Sequence, residues 1–313
     1  MEDNLEVLRS IPIFAGIKDE VLHSLSSLLK EERFLKGEYI IREADYSNTM
    51  YILRSGEVEV RKVINRESNR YKTLAILEEG DIFGEMAVFG EEFRTADVIT
   101  REDSILWKMD YSDLFNIIEA DPVSGVRLLQ VIITILIARI KSLNRELATL
   151  YEIGRLIPET KDLEGLTGVV FRQVMNDIEP AKMGLIAIWN KFNDEFDIHH
   201  SLNMSKEHAI ERNDPISIWL LENRSPLLIK DTVRNPEFEG RFYSGRSLIA
   251  SPFIHDSDVL GFILLSNPYR RNAFTYSHLV LLSAVCNQVG ARMKDIEKKT
   301  EDVCKERLAQ VRL

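Results

Sequence analysis

The sequence has little cysteine and no long hydrophobic run. Its 313 residues include two cysteines, Cys286 and Cys304, too few and too widely spaced for a disulfide framework or a cysteine metal site. The most apolar stretch, residues 128–138, lies between Arg127 and Arg139 and is much shorter than the ~20 residues that cross a bilayer. No basic segment followed by an apolar one marks a secretory signal at the N-terminus. We therefore expect a cytoplasmic protein with reduced thiols and no membrane partner.

An excess of positive charge is also lacking. The chain has 40 Lys and Arg against 50 Asp and Glu, a formal net charge of −10. Because a surface that neutralises nucleic-acid phosphates needs the opposite excess, the composition disfavours a DNA-binding regulator. Hydrophobic residues make up 45% of the chain, enough for ordinary cores. At ~100–200 residues per domain, the length predicts two domains.

Motifs of catalysis are absent from the sequence as well. It has no glycine-rich nucleotide loop ending in lysine, no Gly-x-Ser-x-Gly elbow and no kinase or cyclase signature. His199 and His200 are adjacent, and neighbouring side chains point in different directions in a regular element. They therefore make a poor metal pair, and we expect them on a solvated hairpin. The sequence predicts a binding protein, not an enzyme, without metal ion or cofactor.

The first part of the chain, residues 1–123, predicts a β-roll with flanking helices. Apolar residues recur every three or four positions up to residue 30, which indicates short helices. Beyond them, short apolar or alternating runs are separated by glycine-containing turns, a pattern typical of many strands joined by tight turns. The predicted strands include residues 39–41, 50–53, 58–60, 74–77 and 105–107.

A long helix is predicted over residues 124–157. Pro122 stands where a helix can begin, and apolar residues then recur in alternating steps of four and three, the heptad spacing of a coiled coil. This seam either packs on its own domain or joins two copies of the chain, and we favour a parallel homodimer. The seam consists of Leu129, Ile133, Leu136, Ile140, Leu143, Leu147, Leu150, Gly154 and Ile157.

The rest of the chain predicts an α+β domain with an antiparallel sheet over residues 158–293, followed by a charged helical tail over residues 294–313. A helix around residues 169–178 precedes the strands, and a closing helix follows them. The predicted strands are residues 184–189, 226–229, 247–254 and 259–265, and the closing helix is residues 276–293.

One segment combines the residues that an anion site requires. Residues 83–98 place Gly84 and Glu85 after a strand, and Arg94 returns after a fixed interval. A glycine turn exposes the first amides of a short helix, and those N–H groups bind anions because they have no internal partner. A guanidinium opposite them holds the same anion bidentately. The segment therefore predicts a site for a phosphate group.

The pattern Phe-Gly-Glu-x-Ala, six residues, then Arg-Thr-Ala resembles the phosphate-binding cassette of cyclic-nucleotide-binding domains, found in the catabolite activator family and in cyclic-nucleotide-dependent kinases. The likeness extends over residues 8–148. Ala44 stands at a turn position where the family usually has glycine, and Phe93 stands where proline commonly precedes the arginine. The resemblance implies cAMP or cGMP as ligand. The alternative is a degenerate domain that keeps the roll and binds no nucleotide.

The resemblance also implies a role for each cassette residue. Glu85 would hold the ribose 2′-hydroxyl, and Arg94 would pair with the cyclic phosphate. Backbone amides of Met86 and Ala87 would complete the phosphate site. Thr95 stands where a family hydroxyl contacts the phosphate or the guanine amino group. The implied ligand-binding set is Phe83, Gly84, Glu85, Met86, Ala87, Arg94, Thr95 and Arg139, with Arg139 on the long helix, and Thr134 behind it, covering the purine.

Residues from about 147 to 295 resemble a GAF domain, not the winged helix that follows the long helix in the catabolite activator family. The likeness rests on patterns such as residues 247–253 and 259–263. GAF domains bind cyclic nucleotides, other small molecules or chromophores, or only dimerise. The Asn-Lys…Phe…Asp-Glu motif of nucleotide-binding members is not matched, and Cys286 falls in the closing helix. We therefore expect no cyclic nucleotide in this domain.

The expected function is that of a cytoplasmic, bacterial-type second-messenger sensor. Capture of a cyclic nucleotide would reorganise the long helix and so alter the GAF domain and a downstream signalling partner. This requires that the ligand bind two helix arrangements with different affinities. Two alternatives stay open: the chain is the sensory half of a larger signalling enzyme, or it is a ligand-free dimeric scaffold.

Overall fold

The computed structural model describes residues 2–11, 19–65, 70–86, 93–204, 207–256 and 258–311. The chain divides into two compact units, Met1–Lys141 and Ser142–Leu313. Each unit has hydrophobic cores of its own. The boundary between the units falls inside the predicted long helix, and the domain limits inferred from the sequence stay predictions.

The first unit is a roll of two four-stranded antiparallel sheets with helices packed against one of them. The strand orders are β1-β8-β3-β6 and β2-β7-β4-β5. Its elements are α1 (Glu2–Ser10), α2 (Asp19–Leu28), β1 (Lys30–Phe34), β2 (Tyr39–Ile41), β3 (Thr49–Ser55), β4 (Val58–Asn65), β5 (Arg70–Leu77), β6 (Ile82–Phe83), β7 (Asp97–Thr100), β8 (Ser104–Asp110), α3 (Tyr111–Ala120) and the first part of α4 (Pro122–Leu156).

The sheet that contains β3 and β8 is buried on both faces. Successive side chains of a strand point to opposite faces, and β8 uses this alternation: Leu106 packs inside the roll, whereas Trp107 and Met109 pack against the helices. For the same reason residues 50–53 of β3 are all buried. A strand covered on both sides reads as a continuous apolar run, which is why these strands were predictable.

Helix α4 runs over Pro122–Leu156. Four residues of the predicted seam pack on hydrophobic cores, two in each unit. Leu129 and Leu136 pack on the core of the first unit, and Leu150 packs on the core of the second, where Ile157 is buried. These four positions follow the alternative in which the seam packs on its own domain, because heptad spacing also suits packing on a core. An exposed stripe remains at Ile133, Ile137, Ile140, Leu143, Leu147 and Tyr151.

The second unit has the predicted α+β architecture. Its six-stranded antiparallel sheet has the order β11-β10-β9-β14-β13-β12, with one core against α5 and α7 and another against α6. The elements are α5 (Leu163–Asp177), β9 (Met183–Asn190), β10 (Glu195–Leu202), β11 (Ala209–Glu211), α6 (Pro215–Asn223), β12 (Leu227–Ile229), β13 (Ser247–His255), β14 (Asp258–Asn267) and α7 (Tyr276–Val311).

Helix α7 continues into the predicted tail as one helix up to Val311. Cys286 on this helix is fully buried, and burial raises the pKa of its thiol to about 12. The side chain of Cys304 lies outside the described residues. Across the described ranges, no helix combines the length and the apolar character needed to cross a membrane.

The two adjacent histidines agree only in part with the expectation for them. A β-bulge interrupts the register between Ile198 and His200, so the strict alternation of side chains is lost there. His199 Nδ1 lies 3.3 Å and His200 Nε2 lies 3.6 Å from the two carboxylate oxygens of Glu164 on α5. Both histidines lie on the β9–β10 hairpin, as expected, but their side chains are partly buried against α5 and not fully solvated. Among the described residues, no set of three or more His, Cys, Asp or Glu side chains can hold a metal ion.

Candidate functional site

The backbone of Arg94 is joined to the turn that follows β2. The Arg94 amide donates to Asp45 O at 2.9 Å, and the Ala44 amide donates to Arg94 O at 2.8 Å. Ala44 has φ 70, a left-handed conformation that glycine adopts at least cost. Ala44 thus has the left-handed backbone conformation that accounts for the glycine usually found at this turn position in the family that the cassette resembles.

The guanidinium of Arg94 is buried, and no carboxylate among the described residues pairs with it. The residue is 7% exposed. Its Nη1 donates to Gly84 O at 3.0 Å, and its Nη2 donates to Ser47 Oγ at 2.9 Å and to Thr49 Oγ1 at 3.0 Å. Within the part of the chain that the structure describes, its Nε has no hydrogen-bond partner and no carboxylate lies within ion-pair distance. Burial lowers the pKa of Arg94, against the opposing effects of Tyr51 and Glu85.

Gly84 is required by the close approach of Arg94. Its φ is +77, and a Cβ at this position would lie 2.9 Å from Arg94 Nη1 and 2.9 Å from Thr49 O. Both contacts are shorter than van der Waals distance, and one of them is with backbone. Any larger residue would displace the guanidinium from its position beside the cassette.

Glu85 lies next to this cation and is paired with the long helix. Its side chain is buried and accepts a hydrogen bond from Arg139 Nη1, while Arg139 Nη2 donates to Ile82 O. Arg139 thus contacts the cassette directly, and its contact with a purine stays a prediction.

The other predicted site residues occupy different surroundings. The Phe83 ring is buried and stacks on Tyr51, with 5.3 Å between ring centroids. Met86 and Thr95 are exposed and adjacent, since Thr95 Oγ1 lies 3.9 Å from Met86 Sδ. Thr134 donates to Gln130 O within α4. Ala87 lies outside the described residues.

Sequence reasoning missed the residues that hold Arg94 in place. Ser47 and Thr49 accept from its guanidinium, and they come from the segment that leads into β3, far from the cassette in sequence. Nearby, Tyr46 and Phe93 form an exposed edge-to-face pair with 6.2 Å between ring centroids. Short polar residues at the start of a strand and just before it carry no signal of their own, so only the fold reveals their role.

In the second unit, the hydrogen-bonded pair of Asp214 and Tyr243 has a structural role. Asp214 caps α6 by accepting from the Ile216 amide at 3.0 Å and also accepts from Tyr243 Oη at 2.5 Å. Tyr243 is fully buried among the aromatic residues on this face of the sheet. Burial and the hydrogen bond to Asp214 raise the pKa of Tyr243, which keeps it neutral.

Comparison with known proteins agrees with the two units. Residues 31–121 match the family model of the cyclic nucleotide-binding domain, and residues 163–293 match that of the GAF domain. A cGMP-dependent protein kinase of Plasmodium berghei is 24% identical over 272 residues, which cover 81% of this chain and 29% of the kinase. A cGMP-dependent protein kinase of Drosophila melanogaster, isozyme 2 forms cD5/T2, is 33% identical over 94 residues, which cover 30% of this chain and 10% of the kinase.

The chain therefore spans less than a third of the length of either kinase. Among solved structures, a cyclic nucleotide-binding domain from Methylobacillus flagellatus is 22% identical with a TM-score of 0.40, and the match covers 51% of this chain and 83% of that chain. The family matches and the folds of the two units lead to one assignment. The chain contains a cyclic nucleotide-binding domain followed by a GAF domain.

Proposed function

We propose that this protein is a sensor whose first unit binds a cyclic nucleotide at residues 84–95. The observation that carries the proposal is the buried Arg94 guanidinium, which has no carboxylate partner among the described residues and an unsatisfied Nε. A buried charge is costly unless an opposite charge neutralises it. The cyclic phosphate would supply that charge, and Glu85 would accept from the ribose 2′-hydroxyl.

The preferred base is proposed to be guanine. The two aligned kinases are cGMP-dependent by name. The exposed Thr95 hydroxyl follows the arginine in sequence, where a related hydroxyl contacts either the phosphate or the guanine amino group. Since that hydroxyl also suits cAMP through the phosphate, both nucleotides have to be compared directly.

Helix α4 is proposed to carry the signal. Arg139 lies on this helix and contacts both Glu85 and Ile82, so a ligand that engages Glu85 changes the surroundings of an α4 side chain. The exposed stripe on α4 supports a homodimer, because six large apolar residues in heptad-like spacing otherwise face water. A shift of α4 in such a dimer would reach the GAF domain. The bacterial and cytoplasmic setting expected from the sequence stays a prediction.

The test is a calorimetric titration of the protein with cGMP and with cAMP. We expect saturable binding that Arg94→Ala abolishes and that Arg94→Lys weakens at least about 100-fold, since lysine does not provide the bidentate contact. Arg33→Ala is the matched control, because Arg33 is exposed and paired with Glu31 on β1. Circular dichroism establishes that each variant is folded. Absence of binding to either nucleotide, or binding indifferent to Arg94, would favour the degenerate domain or the ligand-free scaffold.

A second candidate is that these units form the regulatory part of a larger signalling enzyme. The observation in its favour is that the aligned proteins are protein kinases, of which the chain matches 29% and 10%. Mass spectrometry of the intact protein from its native cells separates the two candidates. A mass near 36.1 kDa would rule out the larger enzyme, and a greater mass with a kinase sequence would support it.

A further inference from the structure

The second unit carries a compact surface rich in arginine, at the end of the sheet where β12, β13 and β14 meet their loops. Three chain segments contribute to it: the residues after β12, the residue before β13 and the residues after β14. The side chains are strongly exposed, 84% for Arg234, and the residue Tyr269 is 79% exposed. We call this the arginine surface, and it consists of Val233, Arg234, Arg246, Tyr269, Arg270 and Arg271.

The backbone under the arginine surface is held by buried polar groups. The amide of Arg246 donates to Asn267 O at 2.7 Å, and the amides of Tyr269 and Arg270 both donate to Asn267 Oδ1 at 2.9 Å. The Ser247 hydroxyl donates to Arg270 O at 3.0 Å. Asn267 and Ser247 are buried. The Thr232 amide, in the segment after β12, donates to Arg246 O at 3.1 Å. The three segments are thus fixed relative to one another before any partner arrives, which lowers the entropy cost of binding.

The charge of the arginine surface is not balanced from within. Asp231 is the carboxylate that pairs with it, at 3.8 Å from Arg234 Nε and 3.4 Å from Arg271 Nε. Arg246 and Arg270 form no ion pair with any side chain of the described residues. Four guanidinium groups therefore face solvent with one buried carboxylate between them, in a protein whose formal net charge is −10.

The composition of the surface favours a protein partner over an extended polyanion. Arginine and tyrosine are the residues most enriched at protein interfaces, and Tyr269 and Val233 place apolar area beside the charges. A nucleic acid or a membrane would extend beyond this small patch, where the negative charge of the rest of the protein would repel it. Guanidinium groups bind carboxylates bidentately.

We propose that the arginine surface is a docking site for an acidic segment of a partner protein, one with clustered Asp or Glu side chains. Arg246 and Arg270 would form new ion pairs with that segment, and Tyr269 would cover an apolar side chain beside them. The inference is independent of the cyclic-nucleotide site, because it concerns residues of the second unit alone.

The probe is a fluorescein-labelled peptide of eight glutamates, titrated with the full-length protein and followed by fluorescence anisotropy. We expect saturable binding that weakens with salt and that Arg270→Glu and Arg246→Glu each weaken at least about tenfold. The matched control is Arg212→Glu, which makes the same charge change next to β11, at the opposite edge of the sheet. This control is expected to stay within about twofold of the wild type.

Equal losses in all three variants would overturn the proposal, because they would show a nonspecific effect of net charge. So would absence of peptide binding by the wild type. Vesicles of phosphatidylserine and phosphatidylcholine and a short DNA duplex serve as competing ligands. Binding of either one that depends on Arg270, without peptide binding, would identify a membrane or a nucleic acid in place of an acidic protein segment.

Discussion

Arginine in a protein interior costs free energy unless its five donors and its charge are both satisfied. At Arg94 the donors are largely satisfied by Gly84, Ser47 and Thr49, but the charge has no ion-pair partner among the described residues. At Arg139 the charge does have a partner, because the Glu85 carboxylate pairs with it. The two arginines of the site therefore differ in what a ligand can offer them. A bound anion would stabilise the charge of Arg94. A ligand hydroxyl that donates to Glu85 would either compete with Arg139 for the carboxylate or share it with Arg139.

A residue-scale prediction concerns Ala44. Its φ of 70 is strained for an L side chain, so Ala44→Gly should raise the free energy of unfolding of the first unit by about 1 kcal/mol. Chemical denaturation with urea measures this change. Ala138→Gly is the matched control, because Ala138 lies exposed inside the part of α4 that belongs to the first unit, where glycine should lower stability by about 1 kcal/mol. A loss of stability at both positions would contradict the strain at Ala44.

A second residue-scale prediction concerns pH and His278. Its Nδ1 accepts from the Thr275 amide at 3.1 Å, and burial, followed by the charge of Arg145, lowers the pKa of its imidazole, against the effect of Glu179. The folded pKa thus lies below the unfolded value of 6.5. The neutral ring stabilises the fold above that pH, and this contribution is lost as the pH falls through the folded pKa.

The measurement compares the wild type with His278→Gln by urea denaturation between pH 7.5 and pH 5. The free energy of unfolding of the second unit should fall more steeply below pH 6.5 in the wild type than in the variant. The other histidines are common to both proteins, so the difference between the two curves isolates His278. Parallel curves would show that His278 titrates alike in the folded and unfolded states.

At the scale of an element, α4 has one buried face and a separate exposed apolar stripe. Leu128, Val131, Ile132 and Ile135 bury one face against the roll, while the exposed stripe lies on other faces of the same helix. Ile140→Glu should weaken the proposed dimer by about 3 kcal/mol, roughly 100-fold in the dissociation constant, because the substitution removes apolar area from both copies. Sedimentation equilibrium measures the constant.

Lys141→Glu provides the control for this prediction, since Lys141 is an exposed neighbour outside the stripe. It should leave the dissociation constant within a few-fold of the wild type. A wild-type protein that stays monomeric at every accessible concentration would contradict the dimer. The cyclic-nucleotide titration would be unaffected by that outcome, because residues 84–95 belong to one chain.

At the scale of the whole molecule, two units with separate cores predict two unfolding transitions in differential scanning calorimetry. A cyclic nucleotide at 100 times its dissociation constant should raise the free energy of unfolding of the first unit by about 2.7 kcal/mol.

Asp214→Ala should lower the free energy of unfolding of the second unit by roughly 2 kcal/mol, because it removes the cap of α6 and leaves the buried Tyr243 hydroxyl unpaired. Arg94→Ala should abolish the ligand-dependent shift alone. A ligand that moved both transitions equally would contradict separate units.

The elements that could be predicted are those with a strong local pattern. Strands β2, β3, β4, β5 and β8 of the roll, β9, β13 and β14 of the second unit and the long helix followed from periodicity, because backbone hydrogen bonding sets the spacing at which side chains return to one face. Strands β1 and β7 were not predicted. The GAF-like strand β10 was missed as a regular strand, since its bulge at His199 and its charged residues disturb the alternation. The candidate cassette was likewise visible in the spacing of Gly84, Glu85 and Arg94.

The amino-acid sequence by itself determined the two-domain organisation, the succession of elements and the cassette, because each depends on residues close together along the chain. Only the tertiary structure decided which groups surround Arg94, that Arg139 reaches Glu85, which seam residues of α4 stay exposed, and that arginines from three segments share one surface. The physical reason is that these contacts join residues far apart in sequence. Their meeting depends on how helices and strands pack, and periodicity does not encode that packing.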